Sequence, residues 1–275
     1  MTLALVGVRK FWTRSATIVS LIIAVVLVAL EFVLVGVSYR SASAESGLDT
    51  STFTWLLTFP GAYDAILALS FEFLGIVGLI YVATVAGSEW SWGTLKVAVA
   101  RGQSRWQYTI ATFASLSILL ALGLLITFVV GIVAAVIGGS VAGLPMGNIG
   151  DLGTLGQTLV KLARCAIALI GLTSLGYAVA MVAKSQMAGI GTIIGYFIIS
   201  FIGPALLPDF IRRVFDYLPF SVASNAIGLQ GPAGASSSAS AGALDPNVAL
   251  LVIVAWLVGL LAVAAISVER TEIAG

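Results

Sequence analysis

Six stretches of this chain, 16–37, 65–86, 108–137, 165–182, 187–207 and 247–268, run almost without charge. A helix needs about 20 apolar residues to cross the hydrocarbon of a bilayer. Five stretches meet that length outright, and the fourth does so when 159–163, around Lys161, extends it outward. The third is long enough to tilt or to continue beyond the membrane. Leu, Ile, Val and Ala dominate each stretch with no strict period-2 alternation, which excludes a β-barrel. Composition closes the alternative of a soluble fold. Asp, Glu, Lys and Arg make up 9% of the chain, against about 25% in soluble domains. The expected fold is an all-α polytopic membrane protein, one transmembrane domain over residues 1–275 with six transmembrane helices.

The N-terminus imitates a secretory leader, with Arg9, Lys10 and Arg14 before an apolar run and Ala42-Ser43-Ala44 after it. That run is 22 residues long, beyond the roughly 7–15 of a signal h-region, so it reads as an uncleaved first span. Six spans place both termini on one side. With the N-terminus inside, the cytoplasm receives Arg9, Lys10, Arg14, Lys96, Arg101, Arg105, Lys184 and Arg270, and the outside receives Arg40, Lys161, Arg164, Arg212 and Arg213. Glu45, Asp49, Asp151, Asp209, Asp216 and Asp245 also fall outside. The positive-inside bias therefore predicts cytoplasmic termini.

Residues 1–15 combine three cations with Phe11 and Trp12, as an interfacial helix does; the same residues suit a plain positive-inside flank. Residues 87–107, GSEWSWGTLKVAVARGQSRWQ, are too long for a turn. Glu89 is read at a helix start, where an acid is favoured. Trp90, Trp92 and Trp106 suit the membrane interface, and Leu95–Val99 reads as a short helix ended by Arg101-Gly102. The 183–186 turn forces the fourth and fifth spans into a hairpin. In the outer segment 208–246, alternating charged and apolar residues at 208–218 predict short amphipathic helix in the outer leaflet, and 231–243 is a flexible low-complexity tether.

Ionisable residues within spans are candidates for function, and Glu31 and Glu72 qualify, both in the outer half. Arg40, Lys161 and Arg164 lie at nearby depth and are expected to neutralise them. Gly191 and Gly195 form a GxxxG pair suited to close helix packing, within the chain or between copies. The chain has no histidine, one cysteine and a net charge of +1. These exclude His-based triads and metal sites and a nucleic-acid footprint. No nucleotide-binding loop is present, so no catalytic residue and no metal ligand is assigned, and the chain is not read as an enzyme.

Short motifs in order then resemble the type-2 ATP-binding-cassette (ABC) exporter permeases. An acid, Glu89, precedes Gly93-Thr94-Leu95, Arg101-Gly102 and Ser104-Arg105; Lys184-Ser185-Gln186-Met187-Ala188 is similar to the family's inner connector, and Tyr217-Leu218-Pro219-Phe220-Ser221 to its proline-bearing stretch before the last span. The family often carries a lysine one turn into the third span, where this chain has Thr112. The resemblance implies a multi-pass permease subunit of the bacterial plasma (inner) membrane. It would pair with a second permease copy, identical or related, and with two cytoplasmic ATPase subunits that bind the ATP and Mg. Residues 88–105 would be the coupling helix, with Glu89, Trp92, Gly93, Thr94, Leu95, Arg101, Gly102, Ser104 and Arg105 in the dock and Lys184, Ser185 and Gln186 as a second contact. Gly191 and Gly195 would pack at the dimer seam. Glu31, Glu72, Pro219 and Phe220 would belong to the path of a hydrophobic or amphipathic cargo, such as a drug, an antimicrobial peptide or a lipid. A proton-coupled secondary transporter using Glu31 and Glu72, and a non-transport membrane anchor, are the competing readings.

Overall fold

The computed structural model describes residues 2–44, 50–206, 214, 216–229 and 244–270. Apart from one isolated β-bridge, between Phe59 and Gly147, regular structure among them is helical. A surface helix, α1 (Thr2–Trp12), leads into α2 (Ser15–Ala44), and a single short turn, α3 (Ser51–Leu57), precedes α4 (Gly61–Ser91). A second short helix, α5 (Thr94–Ala100), lies between α4 and α6 (Arg105–Ala142). Then come α7 (Leu152–Ala183), α8 (Gln186–Leu206), α9 (Pro219–Ile227) and α10 (Pro246–Arg270).

Five of these, α2, α4, α6, α7 and α10, are long and apolar enough to cross a membrane. The chain is a helical, multi-pass membrane protein in that sense. The predicted fifth span forms α8, a helix of 21 residues, but it is not among those five and residue 207 lies outside the described residues. At 1.5 Å per residue, α6 with its 38 residues reaches about 57 Å, nearly twice the hydrocarbon thickness. That length suits the tilt or the extension beyond the membrane that the sequence allowed.

Burial separates inner from outer helices. In the most apolar stretches of α4 and α7, 61% and 67% of residues are buried, against 17% in α2 and in α10. Small residues explain how the inner helices approach. Gly176 and Gly189 bring α7 and α8 together, with Ala83 of α4 closing the same gap. At the α2–α6 crossing, Gly36 faces the backbone of Gly138, and Gly138 faces the carbonyl of Phe32, so a methyl group at either would collide with backbone. The peripheral α2 leaves Ile18, Ile22, Val26, Leu30, Leu34 and Val37 exposed as an apolar face, which water does not tolerate and lipid does.

Cross-chain bonds define two ends of the bundle. At one, Tyr177 donates to the Thr109 carbonyl (2.8 Å), Arg105 to the Glu269 carbonyl (3.2 Å), and Thr17 pairs with Tyr81 (2.7 Å). At the other, Tyr63 donates to the Ile149 carbonyl (2.9 Å), the Phe59 amide to the Met146 carbonyl (3.1 Å), and Arg164 to Asn247 (2.6 Å). By these bonds α2, α4, α6 and α7 alternate in direction, α10 runs parallel to α7, and α1 and α5 sit at the first end.

Two features differ from the sequence expectations, and one prediction lies mostly outside the described residues. Glu89 lies in the last turn of α4, not at a helix start, because α4 continues to Ser91. Helix α3 was not anticipated, since seven residues carry too little periodicity to register. The amphipathic segment predicted at 208–218 falls mostly outside the described residues, as do 230–243 with the tether. The helix seen there is α9, which starts on Pro219, where a missing N–H costs nothing.

Helix α7 opens with a side-chain cap. Asp151 accepts from the Thr154 amide (2.9 Å) and hydroxyl (2.6 Å). These bonds, the Thr154 hydroxyl foremost, hold the Asp151 carboxyl below its ordinary value of 3.8. The cap's contribution is therefore complete above pH 3.8 and is lost as pH falls through the lowered folded value. Amide exchange at 152–156 is expected to accelerate below that pH, and Asp151→Ala should show fast exchange there at every pH.

Candidate functional site

The 87–107 segment folds around one carboxylate. Glu89 is 1% exposed, and four side chains from three other elements converge on it. Lys10 of α1 donates to Oε1 at 3.2 Å, with Arg14 Nη2 at 3.8 Å from the same oxygen. The Thr94 hydroxyl at the head of α5 donates to Oε2 at 2.5 Å, and the Tyr108 hydroxyl of α6 donates to the same oxygen. One acid therefore ties α1, the end of α4, α5 and the start of α6. Buried carboxylates need such satisfaction, because an unpaired one costs several kcal/mol.

Two glycines set the position of α5. Gly93 (φ +66°) and Gly102 (φ +84°) adopt the left-handed region at its two ends, where other residues are strained. Between them α5 is two-faced. Leu95 and Ala98 are buried, whereas Lys96 and Val97 are exposed, and Trp92, just before the helix, is 68% exposed. The Arg14 guanidinium lies 4.9 Å from the Phe11 ring and 5.2 Å from the Trp92 ring. The α7–α8 turn sits beside this region, with Lys184 in the left-handed region (φ 54°) and its Nζ 5.2 Å from the Trp90 ring. Gly87 of α4 lets the backbone of Gln186 pass, since a side chain there would strike it. Ser185 accepts from the Ala188 amide (3.4 Å).

All twelve residues predicted for the dock thus gather at one end of the bundle, but they do not form one surface. Glu89 and Leu95 point inward. Trp92, Arg101, Gly102, Lys184 and Gln186 are exposed, and Gly93, Thr94, Ser104, Arg105 and Ser185 are half-buried. Sequence reasoning missed Lys10, Arg14 and Tyr108 as Glu89's partners. Lys10 lies 79 residues away, and no local pattern announces that pairing.

The other half of the bundle holds a cavity of about 320 Å3 that Glu31 and Glu72 both line, together with Asp64, Trp55 and apolar side chains of α2, α3 and α4. The similar depths read from sequence thus meet in one place. Their expected neutralisation does not occur. Lys161 instead grips Asp64 with 2.7 and 2.8 Å contacts to its two oxygens, and Arg164 goes to Asn247. Asp64 escaped the sequence reading because it stands one residue before the predicted second span. Among the described residues, neither Glu31 nor Glu72 has an ion pair. Pro219 is buried, and Phe220 packs its ring 5.9 Å from that of Phe71, next to Glu72. Gly191 and Gly195 have nothing within 4 Å of where a Cβ would stand, so among the described residues they close no contact within the chain.

The family described as "Protein of unknown function (DUF2705)" matches residues 38–274. The chain belongs to the DUF2705 family. No curated protein matches it. The DUF2705 match takes in Glu72, Asp64, Glu89, Thr94 and Tyr108, whereas Lys10, Arg14 and Glu31 lie before it.

Proposed function

We propose that this DUF2705 chain is the membrane-spanning permease subunit of an ATP-driven exporter of the ABC class. Its cargo is a hydrophobic or amphipathic molecule. The observation that carries the reading is α5, a short helix fixed across one end of the bundle by the buried Glu89 and presenting Trp92, Lys96 and Val97 outward. A helix tied at its head to α4 and, through Glu89, to α6 transmits a push from a soluble partner into both. In this reading α8 is the sixth span. The end bearing α5 and eight of the 13 cations faces the bacterial cytoplasm, together with both termini. Two ATPase subunits dock there and hold the ATP and Mg, while Gly191 and Gly195 support pairing with a second permease copy. The Glu31–Glu72 cavity, with Pro219 and Phe220 nearby, borders the cargo's path.

An ATPase subunit is expected to copurify with the full chain from the membranes of its source organism. Trp92→Ala combined with Val97→Glu should lower that capture at least about tenfold, since exposed aromatic anchors dominate such docks. Undiminished capture by the double variant, or none by the wild type, would remove the ABC reading. The two unpaired carboxylates favour a second reading, a proton-coupled transporter. It requires transport to collapse with an uncoupler at constant ATP and with Glu72→Gln. Transport by neither route would leave a membrane anchor.

A further inference from the structure

At the α5 end, a cavity of about 340 Å3 opens between α1, α5 and α6. Among the described residues its polar lining is basic and neutral: Lys10 and Arg101, the hydroxyls of Thr94, Tyr108, Thr112 and Ser115, and Gln103, with no carboxylate. The charge balance behind it is also positive. Glu89 is one carboxylate facing two cations, Lys10 and Arg14. Lys10 has three donors and gives one to Glu89, with its side chain 40% exposed. Arg101 is exposed and carries no ion pair among the described residues.

The surroundings fix the level of this cavity. Trp12, Trp92 and Trp106 are 46%, 68% and 43% exposed at the same end, and tryptophans concentrate at the headgroup layer. Leu5 and Val6 of α1 are exposed on the helix's outer side, and Val97 is exposed on α5. An amphipathic helix of this kind lies in the interface plane. The cavity therefore joins basic donors to an apolar rim at headgroup depth.

We propose that this cavity binds the phosphate of an anionic membrane lipid, with Lys10 and Arg101 on the phosphate and Val6 of α1 against the upper acyl chain. Free phosphate shares the anion but has no use for the apolar rim. The bound lipid would brace α1 against α5, beside the Glu89 knot. This goes beyond the transport reading, and it is tested on the isolated chain without any ATPase.

The test is native mass spectrometry of the full chain in detergent, titrated with phosphatidylglycerol or with phosphatidylcholine of the same chains. Phosphatidylglycerol is expected to be retained preferentially. Arg101→Ala should lower its retention about fivefold, the usual weight of one cation near an anionic headgroup. Arg101→Lys should keep most of it, and Arg270→Ala, at the same end but outside the cavity, should leave it unchanged. Equal retention of the two lipids, or equal losses with Arg101→Ala and Arg270→Ala, would overturn the site in favour of diffuse surface charge. Displacement of phosphatidylglycerol by inorganic phosphate would overturn the lipid assignment.

Discussion

Glu89→Ala is expected to loosen α1 and α5 from the bundle while the spans still insert. The substitution removes one buried carboxylate, leaving the Tyr108 hydroxyl without that acceptor and Lys10 without its counter-ion, while the Thr94 hydroxyl keeps only the residue-89 backbone carbonyl at 3.2 Å. Breaking a buried pair by removing one partner costs about 3–5 kcal/mol. Lys10, with 40% of its side chain exposed, recovers water and places the loss near the low end, about 3 kcal/mol. Hydrogen exchange should accelerate in α1 and α5 and stay protected in the middle of α7. Glu89→Gln should fall between, because an amide oxygen still accepts from a hydroxyl but neutralises no cation. Unchanged exchange in α1 and α5 with Glu89→Ala would show that the knot does not hold them. Any loss of ATPase capture in this variant would act through α5, since Glu89 touches no partner itself; it is a positioning residue.

That prediction also shows how far the sequence was legible. Apolar length located the helices, because a bilayer imposes one strong requirement on every span. The α5 helix and its glycine boundaries were legible for the same kind of reason, since Gly93 and Gly102 bracket a short two-faced run. Side-chain direction in that segment was not. Whether Glu89 points inward depends on Lys10, Arg14 and Tyr108 arriving from other helices, and the reading that made it an exposed docking residue had no access to them. Lys161 failed in a similar way. Depth offered Glu31 and Glu72 as partners, and the packing of α7 against α4 selects Asp64 instead. Gly191 and Gly195 show the reverse case. Their spacing suited packing within the chain or between copies, and among the described residues they close no contact within the chain.

The Asp64–Lys161 pair carries the second large effect. Asp64 is 8% exposed and bonded through both oxygens to Lys161, whose side chain is 18% exposed. Lys161→Met alone removes the cation bonded to both Asp64 oxygens and is expected to cost about 3 kcal/mol. Asp64→Leu with Lys161→Met should return close to wild-type stability, because replacing a buried ion pair by apolar groups is often neutral. The double-mutant cycle, read as unfolding of the detergent-solubilised chain, isolates that coupling. A cost below about 1 kcal/mol for Lys161→Met would mean that the pair behaves as an exposed one. The single variant also bears on the cavity. Asp64 lines it with Glu31 and Glu72, so losing Lys161 makes its surroundings more negative by one charge. Asp64→Leu with Lys161→Met restores the net charge. A transport defect that follows Lys161→Met and disappears in the double variant would therefore report on cavity charge, whereas one that persists would report on the packing of α4 against α7.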